Sequence, residues 1–227
     1  MNALYLTLAL RLQVHGVGGK EPGETAKREY GFLQNWINLT KAKSPEPDNA
    51  LFNPHGNGSL VRERVATYAE QNGKFPPVNG YNKDATWLGD QGLMLAAMAE
   101  YHQLHSEAGE ALGFAYDLWR GAAFKGRALT PTLNWPPEVG DDGEGEDYDF
   151  GRGVFWRSLL HAFNRNAPMR SAVLATIKDE QDNFIYKSAE EACNLPLPEG
   201  QKGDIALCNA FNALATLTAA IQILEPQ

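Results

Sequence analysis

The chain has few cysteines, a deficit of basic residues and no long apolar run. Cys193 and Cys208 are its only cysteines among 227 residues. Cys208 lies in an apolar segment, where a buried free thiol is common, so we expect free thiols, with one disulfide as the alternative. No stretch approaches the roughly 20 apolar residues that a membrane span requires. We therefore expect no membrane-spanning helix, and two cysteines do not identify the redox compartment.

The charge balance excludes two classes of partner. The chain carries 28 acidic and 20 basic residues, with a formal net charge of -8. Nucleic acids and anionic membranes require a basic face, so neither is expected as a partner. The opening MNALYLTLALRL lacks a basic leading region and a small-residue cleavage site, so a secretory signal is not expected. A phosphate loop, a dinucleotide fingerprint and a Gly-x-Ser-x-Gly elbow are also absent from the sequence.

Helical periodicity dominates what the sequence does contain. Apolar helices, buried on most sides, are predicted at about 2–14, 90–105, 152–165 and 205–223. Amphipathic helices with more charge are predicted at about 24–39, 107–122 and 168–181. The alternating leucines of the first segment would also fit a strand, but its Ala, Leu and Arg residues favour a helix.

Alternation of these two kinds of helix predicts two concentric layers. We expect one all-α domain over 1–227, an incomplete (α/α) toroid with about seven helices of a six-hairpin ring. The connections at about 41–85 and 123–150 are long and rich in Gly, Pro and acids. An open ring would expose the sides of its terminal inner helices, so a homodimer or an aggregation-prone chain is expected.

Polar segments precede three of the apolar helices. They read TWLGDQG at 86–92, DYDFGRG at 147–153 and GD at 203–204. If these helices run parallel, their polar starts share one rim. Acids and aromatic residues above an apolar ring are typical of a carbohydrate site, so the expected partner is a polysaccharide or oligosaccharide.

The segment DYDFGRGVFWR at 147–157 resembles a motif of glycoside hydrolase family 76, the bacterial and fungal endo-α-1,6-mannanases. That motif reads D-x-x-x-F-K-G-[IV]-F-x-R, with Arg152 here in place of Lys and Gly151 in place of Phe. Gln91 and Gly92 are similar to the family's Tyr-Asn-Gln-Gly segment, and NALYLTLALRL is similar to its Asn-initiated inner helix. The matching motif positions are Asp147, Gly153, Val154, Phe155 and Arg157.

The resemblance corresponds to the later part of the family's domain and implies an α-mannan-type ligand, an exported parent and no cofactor. The family's catalytic pair is two adjacent aspartates in an earlier inner helix, which has no counterpart here. The only Asp-Asp pair is Asp141-Asp142, in a glycine-rich run without helical periodicity. We therefore expect a glycosidase-like protein that acts on or binds α-mannan. The alternatives are a non-catalytic carbohydrate-binding module or an inactive fragment of a longer glycosidase.

Two acids are weak candidates for a catalytic role. Retaining glycosidases need two carboxyl groups about 5 Å apart, one with a raised pKa. Asp90 and Asp147 each precede an apolar helix on the expected rim. The alternative is structural, because an acid near a helix start accepts backbone N–H bonds and favours the helix dipole.

Further rim residues are candidates for substrate binding. Gln91, Asp149 and Arg152 could contact sugar hydroxyls, and Tyr81 and Trp87 could stack on sugar rings. For Gln91 the alternative is simple solvent exposure, and for Arg152 it is an ion pair with Asp147 or Asp149. Trp135 and Trp156 were the other aromatic candidates, and Trp156 fits a core position better because it lies within a helix.

Metal binding is not expected. The acidic run 141–149 could in principle supply oxygen ligands for Ca²⁺, but its spacing does not fit an EF-hand. His102 and His105 share a helix face without an evident third ligand. A solvated acidic loop and ordinary histidines are the simpler interpretation.

Overall fold

The computed structural model describes residues 2–41, 52–55, 58–61, 87–128, 151–177, 184–194 and 204–225. Its helices are α1 (Asn2–Val14), α2 (Glu21–Lys41), α3 (Leu88–Leu104), α4 (Gly109–Ala128), α5 (Gly151–Arg165), α6 (Ala167–Ile177), α7 (Phe184–Asn194) and α8 (Asp204–Leu224). Two strands, β1 (Phe52–His55) and β2 (Gly58–Val61), pair antiparallel. The described part is thus mostly helical, which confirms the all-α prediction.

The seven predicted helices are all present, with ends that differ by a few residues. The turn between α1 and α2 shows why the first of them stops where it does. Gly16, Gly18 and Gly19 all have positive φ angles, a backbone conformation that glycine adopts without steric cost. The chain therefore reverses direction after Val14, and α2 returns along α1.

Asn166 connects α5 to α6 and ends one helix while starting the next. Its side chain is fully buried. Its Oδ1 accepts a hydrogen bond from the backbone N–H of Met169 at 2.9 Å, as an N-cap residue does. Its Nδ2 donates to the backbone carbonyl of Ala99 at 2.9 Å. One buried amide thus caps α6 and also ties it to the C-terminal part of α3.

The four apolar helices form one parallel row in the order α1, α3, α5, α8. Near their C-terminal ends, Arg11 of α1 and His161 of α5 both approach Glu100 of α3. For α5 and α8, the backbone N–H of Gly153 donates to Asn212 Oδ1 at 2.7 Å, and Asn164 Nδ2 donates to Gln222 Oε1 at 3.2 Å. The four helices therefore point in the same direction, with their N-terminal ends on one side of the row.

The remaining helices pack against this row from outside it. α2 contacts α1, α4 contacts α3, α6 contacts α5 and α4, and α7 contacts α8. Tyr30 of α2 stacks on Tyr101 of α3, with ring centroids 4.0 Å apart and planes 15° apart. The alternation predicted from the sequence therefore corresponds to two layers of helices in the described part of the chain.

A short β-hairpin lies within the region that the sequence analysis treated as a long connection. Strand β2 packs against α4 and also contacts α3. Gly58 and Gly121 make this close approach, because a Cβ on Gly58 would meet the backbone of Gly121 and a Cβ on Gly121 would meet the backbone of Ser59. The sequence analysis missed the hairpin because strands of four residues are too short for a clear period-2 pattern.

Helix α7 was also not predicted. Its buried residues Phe184, Ser188 and Ala192 recur every four residues on one face. The ring of Phe184 lies 5.3 Å from that of Trp156 and 6.2 Å from that of Trp119, so α7 is held by aromatic contacts with α5 and α4. Trp156 is fully buried, which confirms its assignment to the core.

Helix α8 requires one correction. Its segment Leu207–Leu224 has the length and composition of a membrane-crossing helix, contrary to the expectation that no stretch would qualify. In this structure α8 packs on α5 and α7, and Asn212 and Thr216 are buried within it. The segment is only 39% buried, so the prediction that this helix is buried on most sides is wrong.

Both ends of the parallel row expose apolar side chains. Leu207, Leu214 and Ile221 form a stripe along α8, and Leu4 and Leu8 are exposed on α1. These side chains leave α1 and α8 partly uncovered; the open ring and the homodimer expected from the sequence stay predictions. Cys193 is exposed and Cys208 is buried, and both are free thiols as expected.

Candidate functional site

A cavity of about 400 Å³ opens between the three neighbouring inner helices α1, α3 and α5. We call it the α1–α3–α5 pocket. Cavities of this size accept small molecules. Each helix contributes one face, and its lining residues are Leu4, Thr7, Arg11, Leu93, Ala96, Val154, Arg157, Ser158 and His161.

The spacing of these residues follows from helix geometry. Leu4, Thr7 and Arg11 are three and four residues apart, so they share one face of α1. On α5, Val154, Ser158 and His161 follow the same spacing. Because the helices are parallel, the aliphatic residues meet at the end of the pocket nearer the helix N-termini. The charged residues meet at the end nearer the helix C-termini. The pocket is therefore apolar at one end and polar at the other.

Glu100 lies behind the polar end of the pocket. It is 6% exposed, and its Oε2 is 3.3 Å from His161 Nε2 and 3.9 Å from Arg11 Nε. The last turn of a helix disfavours an anion, and burial of a carboxylate is costly without partners. The imidazole and the guanidinium offset that cost, which explains how an acid is accommodated in the buried part of α3.

Arg157 differs from Arg11 in its surroundings. Its guanidinium carbon lies 5.7 Å from the centre of the Phe211 ring on α8. Within the described part of the chain, it forms no ion pair with a carboxylate. An arginine over an aromatic face keeps its N–H donors available at its edge. Among the described residues, the positive charge that Arg157 presents to the pocket has no acidic partner.

None of the described residues that line the pocket is acidic, and the carboxylate of Glu100 lies behind its wall. Hydrolysis by the retaining mechanism requires a second carboxyl group about 5 Å away. Asp90 is not among the residues that line the pocket, and Asp147 lies outside the described residues. The described lining offers hydroxyl, imidazole and guanidinium groups beside an aliphatic surface.

Gln91, a predicted substrate contact, is fully buried. The backbone N–H of Val61 donates to its Oε1 at 2.6 Å, and its Nε2 donates to the backbone carbonyls of Val61 and Trp87, both at 2.9 Å. Both amide protons are therefore used within the fold. The structure assigns Gln91 to the attachment of strand β2, and neither solvent exposure nor a sugar contact describes it.

Trp87 and Asp90 are at the start of α3. Trp87 occupies the N-cap position without a side-chain cap, and its indole packs so closely on Gly89 and Gly151 that a Cβ on either would overlap it. This ring joins the N-terminal ends of α3 and α5. Asp90 is half-buried in the first turn of α3, where an acid favours the helix dipole.

Arg152 pairs with an acid that the sequence analysis did not consider. Its Nη2 lies 3.1 Å from Glu191 Oε2 on α7, whereas Asp147 and Asp149 were its expected partners. Burial lowers the pKa of Arg152, and the adjacent Glu191 partly opposes that shift. The ion pair therefore fixes α7 to the start of α5. Asp147, Asp149, Tyr81 and Trp135 lie outside the described residues, so their predicted roles stay predictions.

The sequence analysis missed most residues of the pocket. Glu100 gave a signal in hindsight, because it is the single acid in the apolar run LMLAAMAEYHQL. A charge at such a position requires a partner, but periodicity does not identify the partner. Among the residues that the structure describes, no group of three or more His, Cys, Asp or Glu side chains could hold a metal ion. His102 instead lies 3.2 Å from Asn166, through Nδ1 and Nδ2.

Comparison of the chain with protein-family models, with curated proteins and with solved structures gives no match. The resemblance to glycoside hydrolase family 76 therefore stays a prediction from the sequence motifs.

Proposed function

We propose that this chain is a glycosidase-like carbohydrate-binding protein, and that its α1–α3–α5 pocket holds a sugar unit of an α-mannan-type glycan. The observation that carries the proposal is the convergence of two sequence segments of the resemblance on one cavity. Leu4, Thr7 and Arg11 come from the first segment of the family resemblance, and Val154 and Arg157 come from its clearest motif. Residues of these separate segments line the same space.

The second motif of the resemblance supports the same site. Gly92 follows Gln91, and its Cα faces α5 so closely that a Cβ would lie 2.5 Å from Phe155 Cα. This contact sets the spacing between two walls of the pocket. The motif positions of α3 and α5 therefore act together, as expected if they belong to one architecture.

The arrangement that we propose for the whole chain is an incomplete (α/α) toroid. The repeating unit of such a ring is one inner helix with an outer helix against it. The parallel row of four apolar helices provides four such pairs. The pocket opens on the inner row and not among the outer helices. A glycan on this face would contact several helices at once, as glycans do in ring-shaped helical enzymes.

The lining chemistry suits a sugar. Ser158, Thr7 and His161 offer groups that donate and accept hydrogen bonds, and Leu93 and Ala96 offer apolar surface for the C–H face of a sugar ring. We propose binding without hydrolysis, because a single described carboxylate does not make a catalytic pair.

The test is a calorimetric titration of the chain with linear α-1,6-linked manno-oligosaccharides. Leu4→Trp places an indole at the edge of the pocket, where Leu4 is 52% exposed, and should abolish binding. The matched control is Leu8→Trp, since Leu8 lies one turn further along α1, is 56% exposed and does not line the pocket. Absence of binding by the unmodified chain, or equal loss in both variants, would contradict the proposal.

Reducing-sugar release from linear α-1,6-mannan tests the catalytic alternative. We expect no release from the unmodified chain. Release that Glu100→Gln, Asp90→Asn or Asp147→Asn abolishes would identify an enzyme and overturn the non-catalytic assignment. Binding without release would support it.

A further inference from the structure

Among the residues that the structure describes, the charges that line the α1–α3–α5 pocket are positive. Arg11 and Arg157 line it, and none of its lining residues in the described part of the chain is acidic. The buried Glu100 behind the wall supplies one carboxylate against two guanidinium groups. The chain as a whole has a net charge of -8, so this local excess has the opposite sign to the overall charge.

Glu100 offsets part of this excess through its ion pair with Arg11, and Arg157 has no acidic partner among the described residues. Glu100 Oε2 is nearer to His161, at 3.3 Å, than to Arg11, at 3.9 Å, and 3.9 Å is too long for a hydrogen bond. Arg11 also keeps 53% of its side chain exposed, so it can turn towards a ligand in the pocket. The guanidinium of Arg157 has the Phe211 ring as its neighbour, at 5.7 Å.

Two guanidinium groups on different helices, facing one cavity, form an anion site in chemical terms. A planar guanidinium donates two parallel hydrogen bonds to a carboxylate or a phosphate. A cavity with low-dielectric walls also strengthens the local potential, so an anion is attracted there even by an acidic protein. The aliphatic side chains of Leu4, Leu93 and Val154 leave the other end of the cavity for an uncharged part of the ligand.

We propose that the sugar bound in the α1–α3–α5 pocket is anionic, a sugar phosphate or a uronic acid, with Arg157 as the main contact of its charged group and Arg11 as the second. This inference rests on the proposed function, since the sugar ring would occupy the hydroxyl and aliphatic part of the same pocket. Phosphate and carboxylate share the recognition chemistry, and the experiment distinguishes them.

The test is calorimetric titration of the full chain with four probes: mannose 6-phosphate, mannuronic acid, methyl α-mannoside and inorganic phosphate. We expect the charged sugars to bind at least about tenfold more tightly than methyl α-mannoside at low salt, with a difference that shrinks as salt is added. The tighter of the two charged sugars identifies the anionic group.

Arg157→Gln removes the main contact, and Arg165→Gln is its matched control. Arg165 is on the same helix, is exposed and does not line the pocket. Both variants replace arginine with glutamine, so they change the net charge equally. We expect about tenfold weaker binding of the preferred charged sugar by Arg157→Gln and little change for Arg165→Gln. Because Arg157 is exposed, the substitution should leave the fold intact.

The outcomes separate this inference from the proposed function. Equal affinity for the charged sugars and methyl α-mannoside would overturn the anionic ligand and leave sugar binding standing. Inorganic phosphate binding as tightly as mannose 6-phosphate would support the anion site and overturn sugar recognition. Equal losses in the two arginine variants would overturn the role of Arg157, and no binding of any probe would overturn both proposals.

Discussion

The side-chain amide of Gln91 pairs with both backbone groups of Val61. The N–H of Val61 donates to Gln91 Oε1 at 2.6 Å, and Gln91 Nε2 donates to the carbonyl of Val61 at 2.9 Å. The amide therefore makes the two hydrogen bonds that a neighbouring strand would make. Without it, the N–H and the carbonyl of the buried Val61 would lose these partners. A helix residue thus attaches the β-hairpin to the inner row of helices.

Replacement of Gln91 by Met should strongly destabilise the protein. Methionine preserves the approximate volume but leaves the N–H and carbonyl of the buried Val61 unpaired, so we expect the free energy of unfolding to fall by about 2 to 4 kcal/mol. Urea unfolding monitored by circular dichroism measures this change. The control is Gln34→Met, which removes an exposed amide contact with Glu110 and should cost less than about 0.5 kcal/mol. Similar losses for both would contradict the structural role of Gln91.

Two glycines in helices should respond in opposite directions to alanine. A Cβ on Gly92 would lie 2.5 Å from Phe155 Cα, which is backbone and cannot move aside easily, whereas a Cβ on Gly113 would meet nothing within 4 Å. We expect Gly92→Ala to lower the free energy of unfolding by at least about 2 kcal/mol, because α3 and α5 must separate. Gly113→Ala should raise it by about 0.5 to 1 kcal/mol through helix propensity.

Thermal unfolding of the two variants beside the unmodified chain checks this prediction. A stabilising effect of Gly92→Ala would mean that α3 and α5 do not approach so closely. It would also weaken the case for the pocket, whose walls these helices form.

The Arg152–Glu191 ion pair should contribute more than an exposed pair of similar type. Their side chains are 15% and 31% exposed and their charged atoms lie 3.1 Å apart. A double-mutant cycle with Arg152→Met and Glu191→Gln should give a coupling energy of about 1 to 2 kcal/mol. The Glu24–Lys27 pair, at 3.7 Å with both side chains largely exposed, should give less than about 0.5 kcal/mol. A coupling near zero for the first pair would show that α7 is not held by it.

Tyr30 should make the protein sensitive to alkali. Burial, together with the nearby Glu110, raises the pKa of Tyr30 from 10.0 to about 12. The folded state therefore holds its phenol proton more tightly than the unfolded state does. This contribution is fully present below pH 10 and is lost as the pH rises towards 12.

Tyr30→Phe should reduce the fall in unfolding free energy between pH 10 and 12, because phenylalanine has no proton to lose. Chemical unfolding at a series of alkaline pH values measures the slope, and the titrations of groups remote from Tyr30 cancel between the two chains. Identical slopes for both would refute the assignment. Tyr101, which stacks on Tyr30 and whose pKa burial also raises, should show an effect of the same sign.

Much of the fold could be predicted from the sequence by itself. Apolar and amphipathic periodicity located seven helices, and their alternation predicted an inner and an outer layer. The predictions of two free thiols and of Trp156 in the core are also confirmed. These properties depend on which face of a single element is apolar, because residues three and four positions apart share one face of a helix.

Partnerships between distant residues were decided by tertiary structure alone. Glu100 and His161 are 61 positions apart, and Gln91 and Val61 are 30 apart. Periodicity indicates that an acid in an apolar helix needs a partner, but it carries no information on which helix supplies one. For this reason the sequence analysis assigned Gln91 to a sugar contact and considered only nearby acids for Arg152.

The candidate site shows the same division. The sequence determined that Leu4, Thr7 and Arg11 share one face of a helix, as do Val154, Ser158 and His161 on another. Only the parallel packing of α1, α3 and α5 brought those faces around a common cavity, because helix contacts as close as that of Gly92 with Phe155 depend on the shapes of both surfaces.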